Sequence, residues 1–453
     1  MKIAVLGAAG VRTPLILEAM ARRQERLGLN ELALMDIDGE RLALIGALTT
    51  VPEPGFQFKL TLTTDARAAL SEADFVITTF RVGGIDSRVI DEQVPLRHGV
   101  LGQETTGPGG FAMGLRSIPV LLAYVKLMAE LCPAAWLINF ANPAGMLAEA
   151  ATRYGEWSRT VGICDSPQVV TRIAAALLRL PAEEIFLDYF GLNHLGWSRA
   201  VVHNQRDHLP QLIDMIRNLG QVPGVPFDSR LIAALQMIPN EYLYYYYTSR
   251  QAVQHILDSG SSRGEQVAAL NRQLFDELKQ RHAAGDLAGM REAYAAYLRQ
   301  RGDSYMTRET GQKKHGPLEA LAGDAAEGEG YAGVALDLIE ALSGARPRQM
   351  ILNVPNRGAI QGMAADAVVE VPAFVSRDLV RPLAVGAVPE GCLGLMSEVK
   401  NYERLTIAAA QEGSYALARQ ALAIHPLLRD YTMAGTILDE YCARHGDAFP
   451  QLK

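Results

Sequence analysis

The chain has 453 residues, of which 49% are apolar, and it carries a formal net charge of −7 from 43 basic and 50 acidic side chains. Because acids and bases are interspersed, the charge pattern excludes a nucleic acid or an anionic membrane as the main partner. The length predicts two or three domains, with a core large enough to fold without disulfide or metal staples.

Cysteine usage and the amino terminus bear on the compartment. The four cysteines, at positions 132, 164, 392 and 442, form neither a CxxC pair nor a zinc-ribbon pattern, which suits a reducing environment. The opening MKIAVLG stops being apolar at Gly7 and so predicts a first strand rather than a signal peptide. Lys126 and Glu130 interrupt the longest apolar stretch. We therefore expect a soluble cytoplasmic protein with no nucleic-acid or membrane partner.

The amino-terminal segment predicts a strand, a glycine turn, a helix, a second strand and a final acid. Residues 2–6 and 32–35 are the apolar strands, and Thr13 is expected to cap the helix between them. Glycines let the backbone approach a pyrophosphate at a helix N-terminus, and the acid binds the ribose hydroxyls of NAD. Ala9 replaces the middle glycine of GxGxxG, so a plain strand-to-helix turn stays open. The candidate NAD-binding residues here are Gly7, Gly10, Val11, Arg12, Thr13 and Asp36.

Two polar loops come next along the chain. Residues 75–80 predict a buried strand, and the loop after it contains Arg81 and Arg88, which are either a solvated face or an anion site. Residues 102–110 form a polar, glycine-rich stretch that runs into an apolar helix. The polar side chains of residues 103–106 favour a ligand-facing loop over a tight connection.

Three further turns carry the side chains with the most chemistry. Asn142 lies in NFANPAG, Cys164 and Asp165 lie in VGICDSP, and His194 lies in GLNHLGW. Ligands bind at the carboxyl ends of strands in α/β sheets, so these side chains are expected around one crevice. A lone Cys or His is more often a buried packing residue, and only the grouping supports a site. The first domain is expected to end near residue 167.

The rest of the chain predicts mixed helix and strand. The tyrosines of residues 242–247 are typical of a core or a subunit interface. Residues 262–265 fit a capping box that opens a helix, and residues 304–330 are either a mobile lid or a surface loop. Strands are expected at 350–353 and 367–371, and two helices are expected in 397–428.

Seven of these stretches, in the same order, resemble glycoside hydrolase family 4, the NAD- and divalent-metal-dependent glycosidases. They are GQETTGPGGFAMGLRSIP, NFANPAG, VGICDSP, DYFGLNHLGW, PNEYLYYYY, LNVPNRGAI and KNYERLTIAA. The resemblance implies an α/β fold with an N-terminal Rossmann-type parallel sheet in residues 1–167. It implies a C-terminal α+β domain in residues 168–453, like that of lactate and malate dehydrogenases, for substrate, metal and oligomerisation. A homodimer or homotetramer is also implied.

The resemblance assigns roles to individual residues. Cys164 and His194 match the metal ligands, with Mn²⁺ or another divalent metal expected on family precedent. Tyr242 matches the catalytic base, and Asp165 matches a general acid. The implied substrate contacts are Arg88, Glu104, Asn142 and Asn193, with Arg88 on a phosphate and Asn142 also on NAD.

The implied reaction is hydrolysis without net redox change. The sugar's C3 hydroxyl is oxidised by NAD⁺, Tyr242 removes the C2 proton, and the aglycone leaves from C1 before water adds and C3 is reduced again. The nearest likeness is to 6-phospho-β-glucosidases. Glu327 and Glu329 would oppose a phosphate if they faced the site, so a glycosidase for unphosphorylated α- or β-glycosides stays open. An NAD-dependent hydroxy-acid dehydrogenase is a remote alternative that leaves Cys164 and Tyr242 unexplained.

Overall fold

The computed structural model describes residues 1–48, 55–219, 227–311 and 330–453. The strands are β1 (Lys2–Leu6), β2 (Glu31–Met35), β3 (Lys59–Thr63), β4 (Phe75–Thr78), β5 (Trp136–Asn139), β6 (Thr160–Gly162), β7 (Phe186–Leu192), β8 (Leu195–His203), β9 (Arg206–Asp207), β10 (Ile238–Pro239), β11 (Arg348–Pro355), β12 (Val368–Ser376) and β13 (Leu379–Pro382).

The helices lie between and around these strands. They are α1 (Thr13–Leu27), α2 (Gly39–Ala47), α3 (Ala66–Leu70), α4 (Gly84–Arg97), α5 (Pro108–Leu131), α6 (Ala144–Arg153), α7 (Ser166–Leu178), α8 (Leu209–Leu219), α9 (Ser229–Leu235), α10 (Tyr244–Tyr247), α11 (Ser249–Asp258), α12 (Arg263–Ala283), α13 (Leu287–Asp303), α14 (Thr307–Thr310), α15 (Gly330–Leu342), α16 (Glu390–Glu412), α17 (Tyr415–Ile424) and α18 (Tyr431–His445). Short 3₁₀ helices occupy Ala182–Glu184, Glu241–Leu243 and Gly446–Ala448.

The amino-terminal half is a six-stranded parallel sheet in the order β3-β2-β1-β4-β5-β6. Strands β4 and β5 are buried along their whole length, as expected of parallel strands covered on both faces. The strand order reverses between β1 and β4, which is where dinucleotides bind in such sheets. The expected α/β fold with a Rossmann-type parallel sheet is confirmed.

The sheet continues beyond β6 with antiparallel pairing. Strand β11 pairs with β6 through a single register pair, Asn353 with Gly162, and the order then runs β11-β12-β7-β8-β10. Strands β7 and β8 form a hairpin in which Leu192 pairs with Leu195. The two residues between them, Asn193 and His194, therefore form the turn at the end of this hairpin.

The long helix α5 lies in the core and packs against α4, α6 and α16. Within the described ranges it is the one helix that is long and apolar enough to cross a membrane, with 61% of its most apolar window buried in the fold. A core helix has the same composition, and its burial here explains the apolar stretch.

Several local predictions can be compared with these elements. The capping box of Ser262 and Glu265 is confirmed and opens α12. The prediction that Thr13 caps α1 is wrong. Arg12 takes the N-cap position, because its carbonyl accepts the first intrahelical bond, from the Ile16 amide at 3.3 Å, and Thr13 is already the first helical residue. The tail contains the two predicted helices and a third, α18. Most of the predicted lid or loop, including Glu327 and Glu329, lies outside the described residues.

Candidate active site

The glycine turn after β1 is closed by the acid that follows β2. Gly7 has a φ of 92°, and a Cβ there would lie 2.3 Å from the Phe80 nitrogen, so only glycine fits. The Ala9 amide donates to Oδ2 of Asp36 at 2.8 Å, so alanine at the middle position leaves the turn intact. Asp36 thus lies beside the N-terminus of α1, where backbone N–H groups favour a phosphate. Among the other candidates, Val11 and Thr13 are buried, and Gly10 and Arg12 are exposed.

Cys164 and His194 meet at the carboxyl edge of the sheet. Cys164 follows β6, His194 lies in the β7–β8 turn, and the Cys164 Sγ is 3.4 Å from the His194 Nε2. No group of three or more His, Cys, Asp or Glu residues that could hold a metal occurs in the described parts of the chain. A thiolate and an imidazole are both metal ligands, so this pair fits a divalent cation whose remaining positions are filled by water or substrate.

Burial sets the protonation of both candidate ligands. Burial lowers the pKa of His194 to about 4, which leaves the imidazole neutral and able to bind a cation at neutral pH. Burial also raises the pKa of the Cys164 thiol well above its usual value, as do the nearby carboxylates of Glu370 and Asp165. The thiol therefore needs a bound cation to ionise near neutral pH.

Tyr242 lies directly on His194. The two rings are stacked with centroids 3.6 Å apart. The Tyr305 hydroxyl donates to the Tyr242 hydroxyl at 3.2 Å. Burial raises the pKa of Tyr242 well above its usual value, and the charges of Tyr305 and Glu241 act in the same direction. Elsewhere in the tyrosine cluster, Tyr244 and Tyr245 are core residues.

Asp165 takes the N-cap position of α7, where its side chain makes no capping bond and is half-buried. The next residue, Ser166, donates from its hydroxyl to Oε1 of Glu241 at 2.8 Å. Burial raises the pKa of Glu241 to about 7, so this carboxyl is partly protonated near neutral pH. Glu241 is therefore a second carboxyl group of the site, beside Asp165, and it is not among the candidates predicted from the sequence.

Arg88 is buried at 5% exposure and bound between two carboxylates. Its Nε donates to Glu92 at 2.9 Å and its Nη1 lies 3.0 Å from Glu104. Glu104 also accepts a bond from Arg81. Although burial favours the neutral acid, the guanidinium groups of Arg88 and Arg81 hold the pKa of Glu104 well below its usual range. Arg88 and Glu104, both predicted substrate contacts, are thus paired with each other.

Asn193 and Asn142 are the two remaining candidate substrate contacts. The Asn193 amide donates to Oε1 of Glu370 at 3.2 Å, and Glu370 also accepts bonds from Tyr189 at 2.7 Å and Asn353 at 2.9 Å. Glu370 therefore fixes one residue of the His194 turn. Asn142 follows β5 and is half-buried just before α6.

Several residues of this site have no individual role predicted from the sequence. Thr105 and Gln103 belong to the polar loop before α5, where the polarity of residues 103–106 predicts a ligand-facing loop and is their only signal. Tyr305 and Glu370 gave none, because each reaches the site from a distant segment. Tyr305 precedes α14 and Glu370 lies on β12.

Residues 2–180 match the family described as "Family 4 glycosyl hydrolase", and residues 189–428 match "Family 4 glycosyl hydrolase C-terminal domain". The chain belongs to this family. Family 4 proteins similar to it include the probable 6-phospho-beta-glucosidase of Bacillus subtilis, 32% identical over 100% of this chain and 98% of that protein. The 6-phospho-beta-glucosidase of Escherichia coli is 30% identical, covering 99% of this chain and 96% of its own.

Two solved family 4 structures have the same overall fold. The 6-phospho-beta glucosidase of Thermotoga maritima, with NAD and glucose-6-phosphate, aligns with a TM-score of 0.83 at 28% identity and covers 100% of both chains. A 6-phospho-alpha-glucosidase from gut microorganisms, in complex with NAD and Mn²⁺, aligns with a TM-score of 0.84 at 28% identity, covering 100% of this chain and 99% of the other. Membership makes this protein a glycoside hydrolase on a Rossmann-like fold.

Proposed function

We propose that this family 4 enzyme is a 6-phospho-β-glucosidase that requires NAD and a divalent metal. Mn²⁺ is the metal that we propose. The observation that carries the proposal is the grouping of Cys164, His194 and Tyr242 at the same sheet edge as the Gly7 turn. NAD supplies a reversible hydride acceptor and the metal a Lewis acid that acidifies the carbon next to an oxidised one. No second carboxylate nucleophile is needed for such a reaction.

The protein's own side chains divide the remaining work. Cys164 and His194 hold the cation, and Tyr242 takes the proton from C2 of a sugar oxidised at C3. Asp165 protonates the leaving oxygen. The proposed NAD contacts are Gly7, Gly10, Val11, Arg12, Thr13, Asp36 and Asn142, and the proposed sugar contacts are Arg88, Glu104, Asn142 and Asn193.

An excess of positive charge supports a phosphorylated substrate. Arg81 and Arg88 both pair with Glu104. Arg263 and Arg301 lie within electrostatic range of Arg88 and Glu104: burial and the charges of Arg88 and Arg301 lower the pKa of Arg263, and Arg301 helps to lower the pKa of Glu104. Three glutamates, Glu92, Glu104 and Glu309, face these four arginines, and burial raises the pKa of Glu92 and of Glu309. Because these four arginines outnumber the three glutamates, the cluster favours an anionic group on the sugar. The solved Thermotoga maritima relative, crystallised with glucose-6-phosphate, supports the same view.

One experiment tests both the anomer of the substrate and its 6-phosphate. Relatives named as 6-phospho-β- and as 6-phospho-α-glucosidases both reach 30% identity, and the two β enzymes lead to our choice of anomer. A panel of α- and β-nitrophenyl glucosides, each with and without a 6-phosphate, tests both. We expect release of nitrophenol from the β-6-phosphate far above the other three, with NAD and Mn²⁺ present. Equal turnover of plain glycosides would replace the proposal by a glycosidase for unphosphorylated sugars.

We also propose a homodimer or homotetramer in the cytoplasm. Four free cysteines are consistent with a reducing compartment. We further propose that residues 1–167 bind NAD and that residues 168–453 serve substrate, metal and assembly. Light scattering coupled to gel filtration measures the subunit number, and a monomer at micromolar concentration would contradict the assembly.

A further inference from the structure

The orientation of the His194 imidazole ring is set by side-chain contacts and not by the backbone. The φ of His194 is 62°, in the left-handed region that residues with a Cβ adopt rarely. His194 is 6% exposed, and its Nδ1 lies 2.9 Å from the Thr105 Oγ1. The other ring nitrogen, Nε2, faces Cys164. The contact with Thr105 therefore decides which nitrogen is available to a cation.

The direction of that contact follows from Gln103. Its Oε1 accepts the backbone N–H of Thr105 at 2.7 Å and of Thr106 at 2.6 Å, so an oxygen and not the amide nitrogen must face this turn. The same oxygen lies 3.0 Å from the Thr105 Oγ1, which donates its proton to it. Because a hydroxyl has a single proton, the Thr105 oxygen can only accept from His194. The imidazole must then carry its proton on Nδ1.

We propose that Gln103 and Thr105 are positioning residues that select the Nδ1–H tautomer of His194 and leave the Nε2 lone pair for the divalent cation it shares with Cys164. The inference rests on the proposed function for the identity of the ligand. The choice of tautomer does not change the charge of the ring, and it is present before any cation binds. Partners that orient a metal-binding histidine in this way typically contribute about 10–100-fold to metal affinity.

The hydrogen bonds that hold His194 also affect the proposed base, Tyr242. Tyr242 is stacked on the His194 ring, with the two planes 2° from parallel. A ring that turns about its Cβ–Cγ bond would break this parallel contact. By holding the imidazole, Thr105 also supports the phenol stacked on it, and it does so through hydrogen bonds to Gln103 and His194 alone among the described residues.

The test compares two substitutions at Thr105 in the full-length protein. Thr105→Val keeps the shape of the side chain but removes the acceptor, and Thr105→Ser keeps the hydroxyl. We expect Thr105→Val to weaken Mn²⁺ binding about 10–100-fold, measured by the loss of the free-Mn²⁺ electron paramagnetic resonance signal, and Thr105→Ser to restore it. Thr152→Val, a half-buried threonine on α6, is the matched control and should bind Mn²⁺ like the wild type.

A second measurement reads the tautomer without metal. In protein labelled with ¹⁵N-histidine, the two ring nitrogens of His194, assigned with His194→Ala, should report a proton on Nδ1 in the wild type and a mixture in Thr105→Val. A wild-type proton on Nε2, or unchanged Mn²⁺ affinity in a folded Thr105→Val variant, would overturn the inference. If Thr105→Val does not fold, the wild-type tautomer decides alone. If Mn²⁺ binds no form of the protein, the proposed function fails while the tautomer experiment still tests the bonds.

Discussion

The phenol ring of Tyr242 lies flat on the imidazole ring of His194, with centroids 3.6 Å apart and planes 2° from parallel. The stack joins the 3₁₀ helix Glu241–Leu243 to the turn between β7 and β8. Since burial raises the pKa of Tyr242, the phenol can act as a base near neutral pH only with positive charge nearby. The stack places the phenol beside the proposed cation ligands. A cation bound there would supply the positive charge that the base needs.

Tyr242→Phe tests the base. The variant keeps the ring that stacks on His194 but loses the oxygen, so turnover should fall about 10²–10⁴-fold while NAD and Mn²⁺ binding stay unchanged. Wild-type hydrolysis in D₂O should give a product carrying deuterium at C2, because the C2 proton is exchanged with solvent. Full retention of the C2 hydrogen through complete hydrolysis would show that the carbon is never deprotonated.

Cys164→Ser tests the cation site. A serine hydroxyl at this position does not become the anionic ligand that a thiolate provides, so Mn²⁺ should bind much more weakly and activity should drop to that of the chelated enzyme. The control is Cys132→Ser, a buried cysteine at the C-cap of α5, which should keep Mn²⁺ binding. Wild-type activity after exhaustive treatment with EDTA would contradict a metal requirement.

Arg88→Ala tests the reading of phosphate. Removing the guanidinium should reduce kcat/KM for the 6-phosphorylated glycoside far more than for the plain glycoside, because only the former offers an anion to the arginine cluster. The free energy of unfolding should also fall by about 3–5 kcal/mol, since Glu92 loses its buried cationic partner, whereas Glu104 keeps Arg81. Arg67→Ala, which breaks an exposed ion pair with Glu130, is the control for both readouts. Equal losses on both substrates would mean that Arg88 supports the fold and does not contact phosphate.

His425 should make the protein less stable in mild acid. It lines a small cavity beside His194, its Nδ1 accepts the Leu427 amide at 3.1 Å, and burial lowers its pKa to about 3. In the unfolded chain the His425 imidazole binds a proton below about pH 6.5, whereas in the native state it stays neutral. The contribution of His425 to the free energy of unfolding is therefore complete above that pH. It is then lost by at most about 1.4 kcal/mol per pH unit on acidification towards pH 3.

Urea unfolding at pH 7, 6 and 5 measures this linkage. His425→Asn keeps an acceptor for the Leu427 amide and should lose less stability on acidification than the wild type. His282→Gln, at an exposed position of α12, should follow the wild type. His194, whose pKa is also lowered by burial, adds to the wild-type slope in the same direction and remains in both variants. An identical slope in His425→Asn would show that this histidine is not held neutral.

The local pattern of the sequence predicts the Rossmann-type half of the fold. Apolar runs that end in glycines or polar side chains predict buried parallel strands, and β1, β2, β4 and β5 lie where these runs occur. Candidate residues at the ends of those runs were accessible for the same reason, since strand ends meet at one edge. Cys164 and His194 follow two further apolar runs, β6 and β7, so the same rule predicts them at this edge, although the turn that contains His194 belongs to an antiparallel hairpin.

Contacts between distant segments were decided by the tertiary structure alone. Glu370 reaches Asn193 because β12 pairs with β7, and Tyr305 reaches Tyr242 from the segment before α14. The family resemblance implies that Arg88 is a phosphate contact, and only the fold shows that it is also paired with Glu104. Periodicity and motif spacing report which side of a helix or strand is buried, whereas a partner's identity depends on which elements the chain topology brings together. Protonation follows the same rule, because the burial that keeps His194 neutral and Tyr242 protonated exists only once those elements have packed.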